Sequence, residues 1–286
     1  GRFILQQGWA QASLDLSPAV TSLRDRVRRG VTKAVTDAVK AETKPDEAHN
    51  ATIRQDLIAL CGPHPKLEER GVSEETCAAL GIGYLAQGRS PLKGRIVFQV
   101  ADARVTKKSD GQRVRVILSH LGRAVSEDDD AKYLFYPGFH KSAELYGQEI
   151  LWLHEEAAAQ MAATGSIVLT EGPFDVAKAF EAGLRNVVGS FGASLSTTQA
   201  SKLAELAKTF GVTEILLVFD RDMAGRDGAA KAADRLADMG LRPRIFDWSA
   251  PVATTTIGPV NIPLSINDLA DFSTQQIAWL RQRQLL

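Results

Sequence analysis

The chain has 286 residues, 44% hydrophobic and 24% charged, which is the composition of an ordinary globular protein. Its 34 lysines and arginines balance its 34 aspartates and glutamates, so any surface that binds polyanions must be local rather than global. Two cysteines are too few for a disulfide framework or a four-thiolate zinc site, and without a long apolar run or secretory leader we expect a cytoplasmic protein outside membranes.

The first predicted element is a helical N-terminal segment over residues 1–69. Apolar residues recur at helical spacing in 17–40 and again in 52–60. Between these stretches, residues 44–50 contain a proline and interrupt the spacing, as a linker would. Basic residues of the first stretch suit a solvated helix face or contacts with phosphates.

Residues 70–150 predict a small α+β subdomain. Ser73 can cap a helix that ends at a pair of glycines. β-Branched residues at 94–100 and 114–118 predict two strands of a small sheet. The acidic run 127–130 predicts a solvated loop, because adjacent like charges repel and resist burial.

The remaining part, residues 151–286, alternates short apolar stretches with amphipathic ones. We predict strands at 167–170, 187–188, 215–219 and 244–246, separated by helices at 176–182, 197–210 and 228–239. This alternation predicts an α/β fold with a central parallel sheet flanked by helices. Ligands of such sheets bind beyond the carboxyl ends of the strands, so acidic residues there are candidate site residues.

Two of the predicted strands end in acidic residues. Glu171 follows the first strand, and Asp175 lies in the first turn of the helix that comes next. Asp220 and Asp222 follow the third strand, and residues two apart in an extended segment can face one ion. Carboxylates are the ligands that hard cations such as Mg²⁺ prefer, and such cations neutralise phosphate charge in phosphoryl transfer. A simpler interpretation is that Asp220 only caps the next helix.

The combination of the two motifs is more specific than either alone. A strand ending in Glu-Gly-x-x-Asp, followed along the chain by one ending in Asp-x-Asp-x-x-Gly, resembles the Toprim fold of primases, topoisomerases and certain nucleases. The resemblance covers residues 166–248. It implies that Glu171 acts as a general acid or base. It further implies that Asp220 and Asp222 hold Mg²⁺ or Mn²⁺, with Asp175 as a supporting acid.

Primases usually carry a third acidic element after the last strand. Residues 265–269 occupy its place here, with Ser265 where an aspartate is expected. The resemblance therefore implies a metal-binding role for Asp268 and leaves the number of bound metals open. A helix cap formed by Asn267 or Asp268 is the alternative interpretation.

Three short motifs upstream make the chain similar to the catalytic core of DnaG-type primases in particular. They are Lys-Tyr-Leu at 132–134, Phe-His-Lys at 139–141 and Leu-Tyr-Gly at 145–147, and the likeness extends over residues 70–271. It implies template-directed synthesis of RNA primers from nucleoside triphosphates on single-stranded DNA. It also implies that Arg95, Lys132 and Lys141 contact phosphates. A further basic residue is expected on the next strand, and three candidates stay open: Arg115, His120 and Arg123.

No zinc ribbon and no helicase-type phosphate loop is recognised in the sequence, so a separate zinc-binding domain or a replicative helicase is an expected partner. The divergent third acid favours an origin in a phage, plasmid or other mobile element. Two other functions stay open. A metal-dependent nuclease would use the same carboxylates, and a non-catalytic module would keep the fold to bind DNA or a replisome protein. Ser265 favours the module slightly, whereas the intact acids on the two strand ends argue against it.

Overall fold

In the computed structural model, the described residues are 50–105, 113–126, 131–249, 251–253 and 259–286. They belong to one compact unit, which begins at Ala48 and so includes part of the predicted N-terminal segment. The predicted helix 17–40 and the acidic run 127–130 lie outside the described residues. None of the helices in the described ranges is long and apolar enough to cross a membrane.

The helices are α1 (Pro65–Glu69), α2 (Glu74–Leu80), α3 (Ile150–Leu153), α4 (Glu155–Thr164), α5 (Pro173–Glu181), α6 (Thr197–Phe210), α7 (Met223–Asp238) and α8 (Thr274–Gln282). The strands are β1 (Ile82–Tyr84), β2 (Arg95–Val105), β3 (Arg113–Ala124), β4 (Tyr133–Phe135), β5 (Ser166–Thr170), β6 (Val187–Gly189), β7 (Glu214–Val218), β8 (Arg242–Ile245), β9 (Pro251–Ala253) and β10 (Pro259–Asn261). Single 3₁₀ turns lie at Ile58–Leu60, Lys141–Ala143 and Leu269–Asp271.

The predicted small sheet is confirmed as an antiparallel sheet of four strands in the order β1-β2-β3-β4. The predicted helix over 52–60 is wrong, because this segment forms only one 3₁₀ turn. Two backbone amides of this segment form hydrogen bonds with β3 rather than within a helix. The amide of Ile53 donates to the carbonyl of Ile117 at 2.8 Å, and that of Leu57 donates to His120 Nε2 at 3.3 Å. Pairing with β3 therefore overrides the helical spacing of the sequence.

The predicted parallel sheet is also confirmed, with the strand order β6-β5-β7-β8. Helix α6 begins and ends at the predicted residues, and its N-cap Ser196 forms a capping box with Gln199. Because β5 and β7 are neighbours that run in the same direction, their carboxyl ends meet at one edge, with Thr170 opposite Val218. The residues that follow these two strands are thereby placed side by side.

The central sheet is covered on both faces. Alternate residues such as Val168 and Leu216 pack towards α5, α8 and the antiparallel sheet. Their neighbours Ile167 and Leu217 pack towards α4, α6 and α7. Continuous burial of this kind is typical of parallel strands covered by helices. It gives the strand ends a rigid base.

A buried ion pair joins the antiparallel sheet to α3. Glu149 lies 5% exposed, and its Oε1 is 3.2 Å from Arg115 Nη2. Arg115 also donates to the carbonyls of Ala79 and Leu80 at the end of α2. The other oxygen of Glu149, Oε2, has no hydrogen-bond partner. Burial therefore outweighs the attraction of Arg115 and raises the pKa of Glu149 to about 7.

This pKa predicts how stability depends on pH. Folded protein keeps the Glu149 proton up to about pH 7, whereas the unfolded chain releases it near the ordinary value of 4.5. The unfolded state thus binds fewer protons between these values, so the free energy of unfolding falls as pH rises through that window, by about 3 kcal/mol from this group. Glu149→Gln should remove this part of the fall, as measured by urea denaturation at pH 5 and pH 8. If the free energy of unfolding fell by the same amount between pH 5 and pH 8 in the variant and in the wild type, the prediction would be wrong.

Candidate active site

A cavity of about 680 Å³ lies beyond the carboxyl ends of β5 and β7. Acidic and basic side chains share its wall. The acids are Glu171, Asp175, Asp220, Asp222, Asp268 and Asp271, and the bases are Arg70, Arg123, Lys132 and Lys141. Every acid predicted from the sequence therefore lines this one cavity, and so do two of the three predicted cations, Lys132 and Lys141.

Glu171 connects the ends of the two strands. Its Oε1 accepts a hydrogen bond from the backbone amide of Asp220 at 2.9 Å. Burial raises the pKa of Glu171, and the charges of Asp222 and Asp268 add to the effect. The hydrogen bond thus holds the side chain in place, and its predicted role as a general acid or base stays a prediction.

Asp175 has both carboxylate oxygens engaged by backbone amides. Oδ2 accepts from Gly172 at 2.8 Å, and Oδ1 accepts from Ala270 at 3.1 Å. The residue is 5% exposed, and burial raises its pKa well above the ordinary value, with help from Asp268. Asp175 therefore ties the start of α5 to the turn at Leu269–Asp271. Its predicted role in metal binding stays a prediction.

The cap of α7 is Asp222 and not Asp220. Asp222 Oδ1 accepts from the amide of Gly225 at 2.8 Å. Gly225 is required here, since a Cβ at this position would lie 2.2 Å from the carbonyl oxygen of Asp220. Asp220 is left free of the cap, and its pKa is raised to about 7 by burial and then by the charge of Glu171.

The third acidic segment lines the cavity through Asn267, Asp268 and Asp271. Asp268 caps the 3₁₀ turn, with Oδ1 accepting from the amide of Asp271 at 2.9 Å, so the cap interpretation holds for this residue. Asp271 Oδ2 accepts from the amide of Asn267 at 2.9 Å. Ser265 is exposed and does not line the cavity. Sequence reasoning missed Asp271, although an asparagine and an aspartate four residues apart across a turn were a usable signal.

The three basic candidates on β3 differ in whether they line the cavity. Arg123 reaches the cavity, with its guanidinium 4.8 Å from the centre of the Tyr133 ring. Arg115 is engaged by Glu149, and His120 accepts from the amide of Leu57. Of the three candidates, Arg123 is the one that lines the cavity, and its contact with a phosphate stays a prediction.

Arg95 is the predicted cation that does not line the cavity. It is buried, and its Nη1 donates to the carbonyl of Ala131 at 2.7 Å, next to Lys132. Arg70, which sequence reasoning did not select, takes a place on the wall, with its guanidinium 5.3 Å from the ring centre of Phe174. Direct contact of Arg95 with phosphates stays a prediction.

The loop after β6 adds an aromatic wall. Phe191 has a φ of 62°, in the left-handed region that bulky residues avoid. The loop is held in this conformation because Ser190 Oγ donates to the carbonyl of Thr170, and the amide of Gly192 donates to the carbonyl of Glu171 at 2.9 Å. Strain of this kind persists where the surroundings over-determine it, often at functional sites.

Comparison with known proteins agrees with this geometry. Residues 165–247 match the Toprim domain. The DNA primase of Deinococcus radiodurans is 29% identical over 207 residues, which cover 65% of this chain and 35% of that protein. The DNA primase of Aquifex aeolicus is 32% identical over 155 residues, covering 53% and 28%. The chain is homologous to the catalytic core of DnaG-type primases.

The fold of the described residues agrees with that of a solved structure. A crystal structure of the Aquifex aeolicus primase, with its zinc-binding and RNA polymerase domains, has a TM-score of 0.53 at 19% identity. The match covers 77% of this chain and 54% of that one. The chain spans about a third of the length of the curated relatives that it matches.

Toprim primases are metal-dependent, and the chemistry of this donor set fits a divalent cation. Burial raises the pKa of Glu171 and of Asp220, and repulsion by the neighbouring acids adds to both effects; a bound cation would relieve that repulsion. In the arrangement seen across the described residues, no three histidine, cysteine, aspartate or glutamate side chains stand close enough to hold a metal. Binding would therefore require the acids to rotate, and Asp222 is exposed enough to do so.

Proposed function

We propose that the chain holds the nucleotidyl-transfer centre of a DNA primase, which extends RNA primers on single-stranded DNA from nucleoside triphosphates with Mg²⁺ or Mn²⁺. The observation that carries the proposal is the division of one cavity wall between strand-end acids and four cations. A polyanionic substrate needs both groups. The cations would bind its phosphates directly, and the acids, which by themselves repel phosphates, would hold the metal that neutralises them.

Each group has a role under this proposal. Asp220, Asp222 and Asp268 would hold the metal, which when bound neutralises charge on the triphosphate. Glu171 would accept the proton of the primer hydroxyl, since one of its oxygens stays free of the Asp220 amide. Arg70, Arg123, Lys132 and Lys141 would bind phosphates of the nucleotide and the template.

The Aquifex primase structure contains a zinc-binding domain beside its RNA polymerase domain, and the proposal includes such a domain as a partner. We expect a zinc-binding domain, supplied with this chain or in trans, and a replicative helicase to assist priming. The test incubates the chain with single-stranded DNA, labelled nucleotides and Mg²⁺ or Mn²⁺, with and without these two partners. Labelled RNA products are the expected result. Cleavage without extension would indicate the nuclease. The absence of both extension and cleavage would contradict an enzymatic function.

Binding of the template should depend on Lys132 and Lys141, which are exposed on the cavity wall. Lys132→Ala and Lys141→Ala should each weaken binding of single-stranded DNA or nucleotide without unfolding the chain. Each loss of a template phosphate contact should also make the dependence of log Kd on log salt shallower by about 0.7. Fluorescence anisotropy over a salt series measures both quantities.

The matched control for these variants is Lys208→Ala, which removes an exposed lysine of α6 outside the cavity. It should leave the affinity and the salt slope close to the wild-type values. Unchanged affinity and slope in both cavity variants would show that this wall does not bind phosphates.

A further inference from the structure

Helix α5 makes a second set of contacts through Lys178 and Glu181, which lie in its C-terminal half. Lys178 in this helix is 7% exposed, and its Nζ donates to the carbonyls of Arg70 at 3.2 Å and Gly71 at 3.3 Å. Gly71 has a φ of 62°, and a Cβ there would lie 2.3 Å from the Lys178 ammonium. The ammonium therefore packs directly on the backbone of this turn.

Glu181, one turn further along α5, holds the same segment. Its Oε2 accepts from the amide of Ser73 at 2.9 Å and from the Ser73 hydroxyl at 2.7 Å. Ser73 is the N-cap of α2. Lys178 and Glu181 thus attach the whole turn 70–73 to the helix that begins directly after Glu171.

The charge of Lys178 is not needed for packing. Its direct partners are two neutral carbonyls, and burial lowers its pKa, although Glu181 acts in the opposite direction. A buried ammonium costs free energy that an apolar side chain of similar length would avoid. The two hydrogen bonds hold the backbone carbonyls of Arg70 and Gly71, and the side chain of Arg70 lines the cavity.

We propose that Lys178 is a positioning residue, which holds the Arg70 turn against α5 so that the Arg70 guanidinium meets a substrate phosphate at a fixed place relative to Glu171. The inference rests on the proposed function. The phosphate belongs either to the incoming nucleotide or to the template strand, and separate binding measurements distinguish the two.

The test is a double-variant cycle in the full chain. Wild type, Arg70→Ala, Lys178→Met and the double variant are titrated with a fluorescent non-hydrolysable nucleotide and with labelled single-stranded DNA. Arg70→Ala should raise the Kd of one ligand about tenfold, as expected for a lost charge-assisted hydrogen bond. Lys178→Met should raise the same Kd severalfold, and the double variant should bind no more weakly than Arg70→Ala. In extension assays, the KM for that ligand should rise with little change in kcat.

Two further variants make the test robust. Glu181→Met loosens the same turn without removing a cation. It should raise the same Kd as Lys178→Met, and this effect should disappear when Arg70→Ala is already present. This variant provides the test if Lys178→Met fails to fold. Lys208→Met is the control for loss of a positive charge outside the cavity. Thermal denaturation checks that each variant is folded.

The outcomes separate the two proposals. Additive effects of Lys178→Met and Arg70→Ala, or wild-type binding by Lys178→Met or by Arg70→Ala, overturn the positioning role and leave the proposed function intact. A wild-type chain that binds neither ligand overturns both.

Discussion

Asp220→Asn should reduce nucleotide incorporation by at least about a thousandfold, because under the proposed function its charge helps to hold the metal that would stabilise the transferring phosphoryl group. The substitution preserves the shape of the side chain. It also leaves the backbone amide of residue 220 in place, so the hydrogen bond to Glu171 can persist. Affinity for single-stranded DNA should stay the same or increase, because one carboxylate fewer repels the phosphates.

Extension assays and DNA-binding titrations on the same preparation check this prediction, and Mn²⁺ binding should weaken in parallel. Asp234→Asn is the matched control, since this exposed aspartate of α7 lies outside the cavity. The variant also separates the three functions that the sequence left open. A primase loses extension, a nuclease loses cleavage, and a binding module has no metal-dependent activity to lose. Full incorporation by Asp220→Asn would contradict the assignment of this residue.

Gly228→Ala should lower the free energy of unfolding by about 3 kcal/mol, through steric overpacking. Gly228 lies inside α7, where replacing glycine by alanine would ordinarily stabilise the helix by about 1 kcal/mol. A Cβ at this position, however, would lie 1.9 Å from the carbonyl oxygen of Ala193. The obstacle is backbone, which no side-chain rotation can move. The steric penalty therefore exceeds the gain in helix propensity.

Urea denaturation measures the effect. Gly62→Ala is the matched control, because its Cβ would meet nothing within 4 Å, and its effect should stay within about 0.5 kcal/mol. Since the Ala193 loop also carries Phe191 and Gly192, the Gly228 variant should distort the cavity as well. A variant as stable as wild type would show that α7 and this loop can separate at little cost.

The sequence by itself determined the elements of the Toprim part. Strands β5 and β7 and helix α6 were predicted to within about a residue, and Ser73 occupies its predicted position as a helix cap. These features depend on neighbours along the chain, through periodic burial and hydrogen bonds that span three or four residues. The acids at the strand ends could be found for the same reason, because parallel strands bring their carboxyl ends together.

Only the tertiary structure decided what each polar group does. Asp222 caps α7 while Asp220 does not, Asp175 bonds an amide 95 residues away, and Arg123 reaches the cavity while Arg115 is held by Glu149. Arg95 supports the residue beside Lys132, and Arg70 enters the site through a turn that Lys178 holds. The outward bonding of residues 53 and 57 likewise replaced a predicted helix. Each of these outcomes depends on which distant donor, acceptor or charge is brought within hydrogen-bonding distance, and local sequence patterns do not encode that information.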